Sequence, residues 1–233
     1  MNAIITGASK GIGKAIAEKL VLQNCNIAIC ARDEKQLQET KSQLQMLNPA
    51  VAIFTMVADL SKKNEAQLFG KQCLENFQTI DILINNAGSY MPGDITTEAD
   101  GTIEKMIETN LYSAYHLSRI IVPKMQAQMS GHIFNMSSIA GLQAYKNGGA
   151  YSISKFALQG FSKNLREELK PYFVKVTTIN PGATMSDSWN GSGIEEDRIM
   201  KAVDIAEVLW NAYQLSKQTV VEDIVLRPIL GDL

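Results

Sequence analysis

The stretch Thr6-Gly7-Ala8-Ser9-Lys10-Gly11-Ile12-Gly13 follows the apolar run Met1 to Ile5, and Ile12, Ala15, Ile16, Ala17 and Leu20 then recur at helical spacing. This reads as strand, tight glycine loop and helix. Gly7 lets the chain turn, Gly11 lets the backbone come close to a ligand, and Gly13 lets helix and strand pack closely. A helix that starts at such a loop points exposed N–H groups and the positive end of its dipole at whatever lies in front of it, which suits a diphosphate. The glycines are spaced G-x-x-x-G-x-G rather than G-x-G-x-x-G, so the alternative is a glycine-rich turn that binds nothing.

The rest of the chain keeps the alternation. Strands are expected at Asn26 to Cys30, Val51 to Val57, Ile80 to Ile84, Gly131 to Met136, Phe173 to Ile179 and Thr219 to Leu226. Helices are expected at Glu34 to Leu47, about Ser61 to Asn76, Gly101 to Met129 (one helix or two abutting), Gly149 to Tyr172 and about Val203 to Leu215. With the first pair this makes seven strands alternating with helices, the pattern of a single-domain α/β fold of Rossmann type. Such a doubly wound parallel sheet carries helices on both faces and binds ligands at the carboxyl ends of its strands. One domain over 1–233 is expected, without linker or repeat, and the polar segment 183–202 is the candidate substrate lid.

Composition narrows the function classes. Hydrophobic residues make up 45% of the chain and charged residues 20%, ordinary for a globular protein and too apolar for disorder. The net charge is -2, from 22 basic and 24 acidic residues without a basic run, so neither nucleic acid nor an acidic membrane is expected as a partner. The N-terminus lacks a basic segment followed by a long apolar one, which points to the cytoplasm. Cys25, Cys30 and Cys73 are odd in number and without a C-x-x-C pair, and read as small core residues in a reducing compartment. With only His116 and His132 and no metal-ligand spacing, no metal is expected.

Tyr151-Ser-Ile-Ser-Lys155 opens the helix that starts at Gly149. Two residues four apart share one helix face, so the ammonium can sit near the phenol. A phenol of pKa about 10 is a poor acid or base at neutral pH, and a nearby fixed cation favours the phenolate. At the end of the second strand, where such folds read the ribose 2′ position, the chain has Cys30-Ala31-Arg32-Asp33. Ala31 offers no acid to a 2′-hydroxyl, whereas Arg32, with Lys10 in the glycine loop, can meet a 2′-phosphate, which favours NADP over NAD. Asp33 reads as a helix N-cap. Asp59 could bond an adenine amine or cap the next helix. The pair Asn85-Asn86 leaving a buried strand can stitch neighbouring strands and fix the loop beside a cofactor. Asn110, within a helix, can hold a kink or a water, or lie in solvent.

With Thr6-Gly-Ala-Ser-Lys-Gly-Ile-Gly13, Asn85-Asn-Ala-Gly88, Asn110, Ser138, Tyr151-x-x-x-Lys155 and Asn180-Pro-Gly182 in this order, the chain resembles the short-chain dehydrogenase/reductase family over nearly its whole length. The resemblance implies a carbonyl reductase, reversible as an alcohol dehydrogenase, in which Ser138 hydrogen-bonds the substrate oxygen and Tyr151 exchanges its proton. Lys155 would bind the nicotinamide ribose and lower the phenol's pKa, and Asn110 would hold a water of the proton relay. Cofactor contacts are implied at Gly7, Ser9, Lys10, Gly11, Ile12 and Gly13 in the glycine loop, and at Arg32. Further along they fall at Asp59 and Leu60, at Asn86, Ala87 and Gly88, at Tyr151 and Lys155, and at Pro181, Gly182 and Thr184.

Within the family the chain is similar to bacterial 3-oxoacyl-(acyl-carrier-protein) reductases, although two positions where those enzymes carry arginines hold His132 and Tyr172. An NADP(H)-binding sensor without turnover is the alternative. Family members pair the two long helices across a two-fold axis and add a contact through the last strand. A homotetramer or homodimer is therefore implied, with Met106, Tyr112, Tyr115, Ile120, Phe156, Leu158 and Phe161 as candidate apolar contacts.

Overall fold

Strand β1 (Asn2–Thr6) lies in the middle of the sheet, and the alternation of its side chains sorts the molecule into two layers. The computed structural model describes residues 1–185, 193 and 195–232. Among them, β1 is followed by α1 (Gly11–Leu22), β2 (Asn26–Ala31), α2 (Glu34–Leu47), β3 (Ile53–Val57), α3 (Lys63–Asn76) and β4 (Ile82–Asn85). Then come α4 (Thr102–Ile107), α5 (Ser113–Gln128), β5 (Gly131–Met136), α6 (Gly149–Leu169), β6 (Val174–Pro181), α7 (Ala202–Gln214) and β7 (Asp223–Leu226). All neighbouring strands run parallel, in the order β3-β2-β1-β4-β5-β6-β7. This is the single-domain doubly wound Rossmann-type sheet that the sequence predicts.

Ile5 packs with Ile16 and Leu20 of α1, Leu37 and Leu44 of α2, and Ile205 and Leu209 of α7. Its neighbour Ile4 turns the other way, onto Phe69 and Cys73 of α3, Leu117 and Ile121 of α5, and Leu165 and Leu169 of α6. Every one of these side chains except Leu165 is at most 1% exposed, and each such burial contributes about 1.5–3 kcal/mol. Cys25, Cys30 and Cys73 are free and buried in these layers, and no helix of the described residues is long and apolar enough to cross a membrane.

Where element ends differ from expectation, side chains and proline decide. Ile80 is buried, but its N–H and carbonyl are taken by Gln128 at 2.9 and 2.8 Å, so β4 starts two residues late. Pro171 has no N–H to give the carbonyl of Glu167, and α6 gives way to a single 3-10 turn at Lys170–Tyr172. The expected helix from Gly101 to Met129 is two, separated by a π-helical turn at Glu108–Tyr112 that carries Asn110. Of the expected lid, residues 186–192 and 194 lie outside the described residues. Its two stems are joined by Met185 N–H to Met200 O at 2.8 Å and Met200 N–H to Ala183 O at 3.0 Å.

Candidate active site

The chain winds outward from β1 to β3 and then restarts at β4 on the other side, so the loops after β1 and β4 diverge and leave a crevice between them. Thr6, at the end of β1, ties them together: its hydroxyl accepts the N–H groups of Asn86 and Ala87 at 2.9 and 2.8 Å. Asn86 replies, its side-chain amide donating to Thr6 O at 2.9 Å and Gly7 O at 3.0 Å. One strand over, Asn85 donates to Asn135 Oδ1 at 2.8 Å, and Asn135 donates to Ser162 Oγ of α6 at 2.8 Å. The asparagine pair thus does both jobs expected of it, one residue stitching strands and the other fixing the glycine loop.

Gly7 and Gly13 leave no room for a side chain. Gly7 and Gly11 hold φ of 63° and 55°, the left-handed region that glycine enters without a Cβ clash. A Cβ at Gly13 would lie 2.4 Å from Asn86 Nδ2 and from Gly7 O. No side chain caps the N-terminus of α1, which leaves its first-turn N–H groups for an anion. These residues fit the diphosphate of a dinucleotide. Ser9, by contrast, turns its hydroxyl to Gln36 Oε1 at 3.1 Å and its carbonyl to Thr40 at 3.0 Å, both on α2. Arg32 is exposed just beyond β2, and Asp33 caps α2 through Gln36 N–H at 2.9 Å. Asp59 accepts from the N–H and hydroxyl of Ser61 at 3.2 and 2.8 Å, a local turn ahead of α3. Leu60 is buried in the core.

Along the β4–β6 side of the crevice runs a cavity of about 440 Å³. Among the described residues its lining includes Ile12, Asn86, Gly88, Ser138, Tyr151 and Lys155, with Pro181, Gly182 and Thr184 after β6. Tyr151 and Lys155 lie on the first turns of α6, as their spacing predicts. Lys155 is 5% exposed, donates its ammonium to Met136 O at 2.9 Å, and is pushed down by burial to a pKa of about 8. The Tyr151 phenol is raised by burial, and a side-chain hydrogen bond with Ser138 draws it partly back. Burial is the largest of these influences, and Lys155 is not among them.

Asn110 is 1% exposed, so it neither faces solvent nor merely bends a helix. Its Oδ1 accepts Ser89 N–H at 2.8 Å, and its Nδ2 donates to Ser89 O at 3.0 Å and Ser154 Oγ at 2.9 Å. The π turn, a form found often at functional sites, aims this amide at the loop after β4. Gly7, Ser9, Lys10, Gly11, Gly13, Arg32, Asp59, Leu60, Ala87 and Asn110 do not line the cavity. Gly11 and Gly13 belong to the first turn of α1 and Asn110 to the π turn, and the others lie in the loops after β1 through β4.

Several residues of the site were not read from sequence. Tyr90, Gln143 and Tyr145 line the cavity, with the Tyr90 ring edge-on to Tyr151 at 4.9 Å. Gln143 and Tyr145 lie between Ser138 and Tyr151, so any loop joining those two residues must border the pocket, which was the available signal. Gln159 donates to Asn180 Oδ1 beneath the cavity.

The sequence signature of the short chain dehydrogenase family matches residues 1–197. An uncharacterized oxidoreductase of Staphylococcus epidermidis is 32% identical over 227 residues, covering 97% of this chain and 96% of that one. One from Staphylococcus saprophyticus is 33% identical over the same length, with 97% of both chains covered. Among solved structures, an alcohol dehydrogenase from the archaeon Thermococcus sibiricus complexed with 5-hydroxy-NADP superposes with a TM-score of 0.90 at 27% identity, over 100% of this chain and 98% of the other. A metagenomic short-chain oxidoreductase in complex with NADP gives 0.85 at 30% identity, over 99% and 98%. The chain belongs to the short-chain dehydrogenase/reductase family of NAD(P)-dependent oxidoreductases.

Proposed function

We propose that this chain is an NADP(H)-dependent reductase of ketones or aldehydes, working in reverse as an alcohol dehydrogenase. The observation that carries the reading is the convergence of Ser138, Tyr151 and Lys155 on one cavity beside the glycine loop. A sensor would need the loop but not the proton donor. NADP(H) is the cofactor: the Thermococcus sibiricus and metagenomic structures hold NADP or its 5-hydroxy derivative, and Ala31 followed by exposed Arg32 suits a 2′-phosphate.

The cofactor supplies the hydride for the carbonyl carbon. The chain's own residues handle the oxygen, which gains negative charge as the carbon is reduced. Ser138 Oγ would donate to it and Tyr151 would pass it the phenolic proton, both binding the transition state more strongly than the ground state. A phenol held protonated by burial is in the form that donates. Lys155, fixed by Met136 O, would hold the nicotinamide ribose. Asn110 would fix Ser89 and Ser154 and hold a water of the proton relay. Segment 183–202, with joined stems, would close over the substrate.

A 3-oxoacyl thioester is one carbonyl of this class, named by the resemblance. His132, at one of the two positions where carrier-protein reductases bear arginine, is 2% exposed and cannot meet a carrier protein. A homotetramer or homodimer is supported by Tyr112, Tyr115 and Phe156, at 45%, 39% and 45% exposure on the long helices, and by β7 at the sheet edge with Val225 at 50%. Met106 and Leu158 belong to the chain's own interior, each 1% exposed. A screen of carbonyl compounds with NADPH tests the reading: consumption of NADPH with at least one of them is expected, and none with any would overturn it.

A further inference from the structure

Beyond β7 the chain turns back toward the site. Gly231 N–H bonds Pro228 O at 2.9 Å, with Gly231 at φ of 83°. Arg198 then clamps the segment, donating to Gly231 O at 3.0 Å and Asp232 O at 3.2 Å. Leu226 O takes the N–H of Gly182 at 2.8 Å, which brings the turn against the loop after β6. Gly182 leaves room for it: a Cβ there would lie 2.9 Å from Asp232 Oδ1 and 3.2 Å from Pro228 Cδ. Asp232 thereby becomes part of the wall of the cavity that holds Ser138, Tyr151 and Lys155.

Its charge gives this position chemical meaning. Among the described residues lining the cavity, Asp232 is the one carboxylate and Lys155 the one cation. Lys155 is buried and bonded to Met136 O, whereas the Asp232 side chain is 29% exposed and salt-bridged to Arg227, which does not line the cavity. A carboxylate accepts hydrogen bonds and attracts cations, and like charge brought beside it is repelled. Arg227 offsets part of that field, and partial exposure screens more of it.

Resting on the carbonyl-reductase reading above, we infer that Asp232 is a specificity-determining residue: it selects carbonyl substrates that carry a hydroxyl or ammonium group near the carbonyl and turns away those that carry a carboxylate. The other role open to the segment is a latch, with Arg227 and Asp232 holding the tail and touching no substrate. A latch acts on all substrates alike; a selecting carboxylate changes the ratio between them.

The test uses the full chain with NADPH and three small ketones: aminoacetone, hydroxyacetone and pyruvate. The unmodified protein should favour aminoacetone over pyruvate in kcat/KM by about tenfold or more, with hydroxyacetone between, the scale of one charge-assisted contact. Asp232→Asn should shrink that ratio several-fold. Arg227→Gln, which removes the offsetting cation, should enlarge it, and NADPH fluorescence titration shows that both variants fold and load. A ratio unmoved by Asp232→Asn, or a preference for pyruvate in the unmodified protein, overturns the inference while leaving the reductase reading in place. Failure to consume NADPH with any carbonyl removes both.

Discussion

Lys155 donates its ammonium to the main-chain carbonyl of Met136 at 2.9 Å and lies 5.8 Å from the centre of the Tyr151 ring. The lysine is thus fixed by the end of β5, at the floor of the cavity, and not by the phenol one helical turn away. Burial draws the ammonium down to about 8 and pushes the Tyr151 phenol up, and in the proposed mechanism the first holds the cofactor and the second is the acid.

Lys155→Ala should therefore weaken NADPH binding as well as turnover. Loss of a charge-assisted contact of about 1.5–3 kcal/mol corresponds to roughly tenfold to a hundredfold in the dissociation constant. Fluorescence titration reads it directly, and an unchanged constant would remove the lysine from the cofactor site.

Arg32 is proposed to carry the choice of cofactor. Arg32→Ala should raise the NADPH dissociation constant by about tenfold or more and leave NADH nearly unmoved. Equal affinity for NADPH and NADH in the unmodified protein would sink the assignment.

What the sequence made legible lies in short contiguous stretches. The glycine loop, the Tyr151 and Lys155 spacing and the Asp33 cap each involve a few neighbouring residues, and local geometry fixes their meaning. The seven strands were readable because each apolar run is bounded by turns. The links between stretches were not. Thr6 as the tie between the β1 and β4 loops, Asn135 with Ser162, and Gln159 with Asn180 depend on which strands lie side by side. The π turn at Asn110 escaped as well: the partners of its amide, Ser89 and Ser154, come from elsewhere in the chain.

His132 makes the fold acid-sensitive. It is stacked on Phe134, bonded to Thr177 Oγ1 at 2.7 Å and close to Tyr213. Burial, with the charge of Lys175, lowers it from 6.5 to about 3. Between those values the unfolded chain binds the proton and the folded chain does not, so stability is full above pH 6.5 and falls as pH falls through the window. The slope is at most about 1.4 kcal/mol per pH unit. Urea midpoints measured on either side of the upper pKa should drop in the unmodified protein and drop less in His132→Phe. Parallel curves for the two would contradict this.

The exposed aromatic residues of α5 and α6 predict assembly. Light scattering at micromolar concentration should give a mass of two or four chains, and Phe156→Glu should shift it toward one. A single-chain mass in the unmodified protein, with or without NADPH, would rule the assembly out.

The most direct test of the account is Tyr151→Phe, assayed for carbonyl reduction with the best substrate of the screen and for NADPH binding in the same preparation. The substitution removes one oxygen and leaves the ring against Tyr90. The rate should fall by roughly a hundredfold or more, the contribution of a general acid, while the NADPH dissociation constant stays within about twofold. A variant that keeps more than about a tenth of the original rate would show that the proton comes from elsewhere.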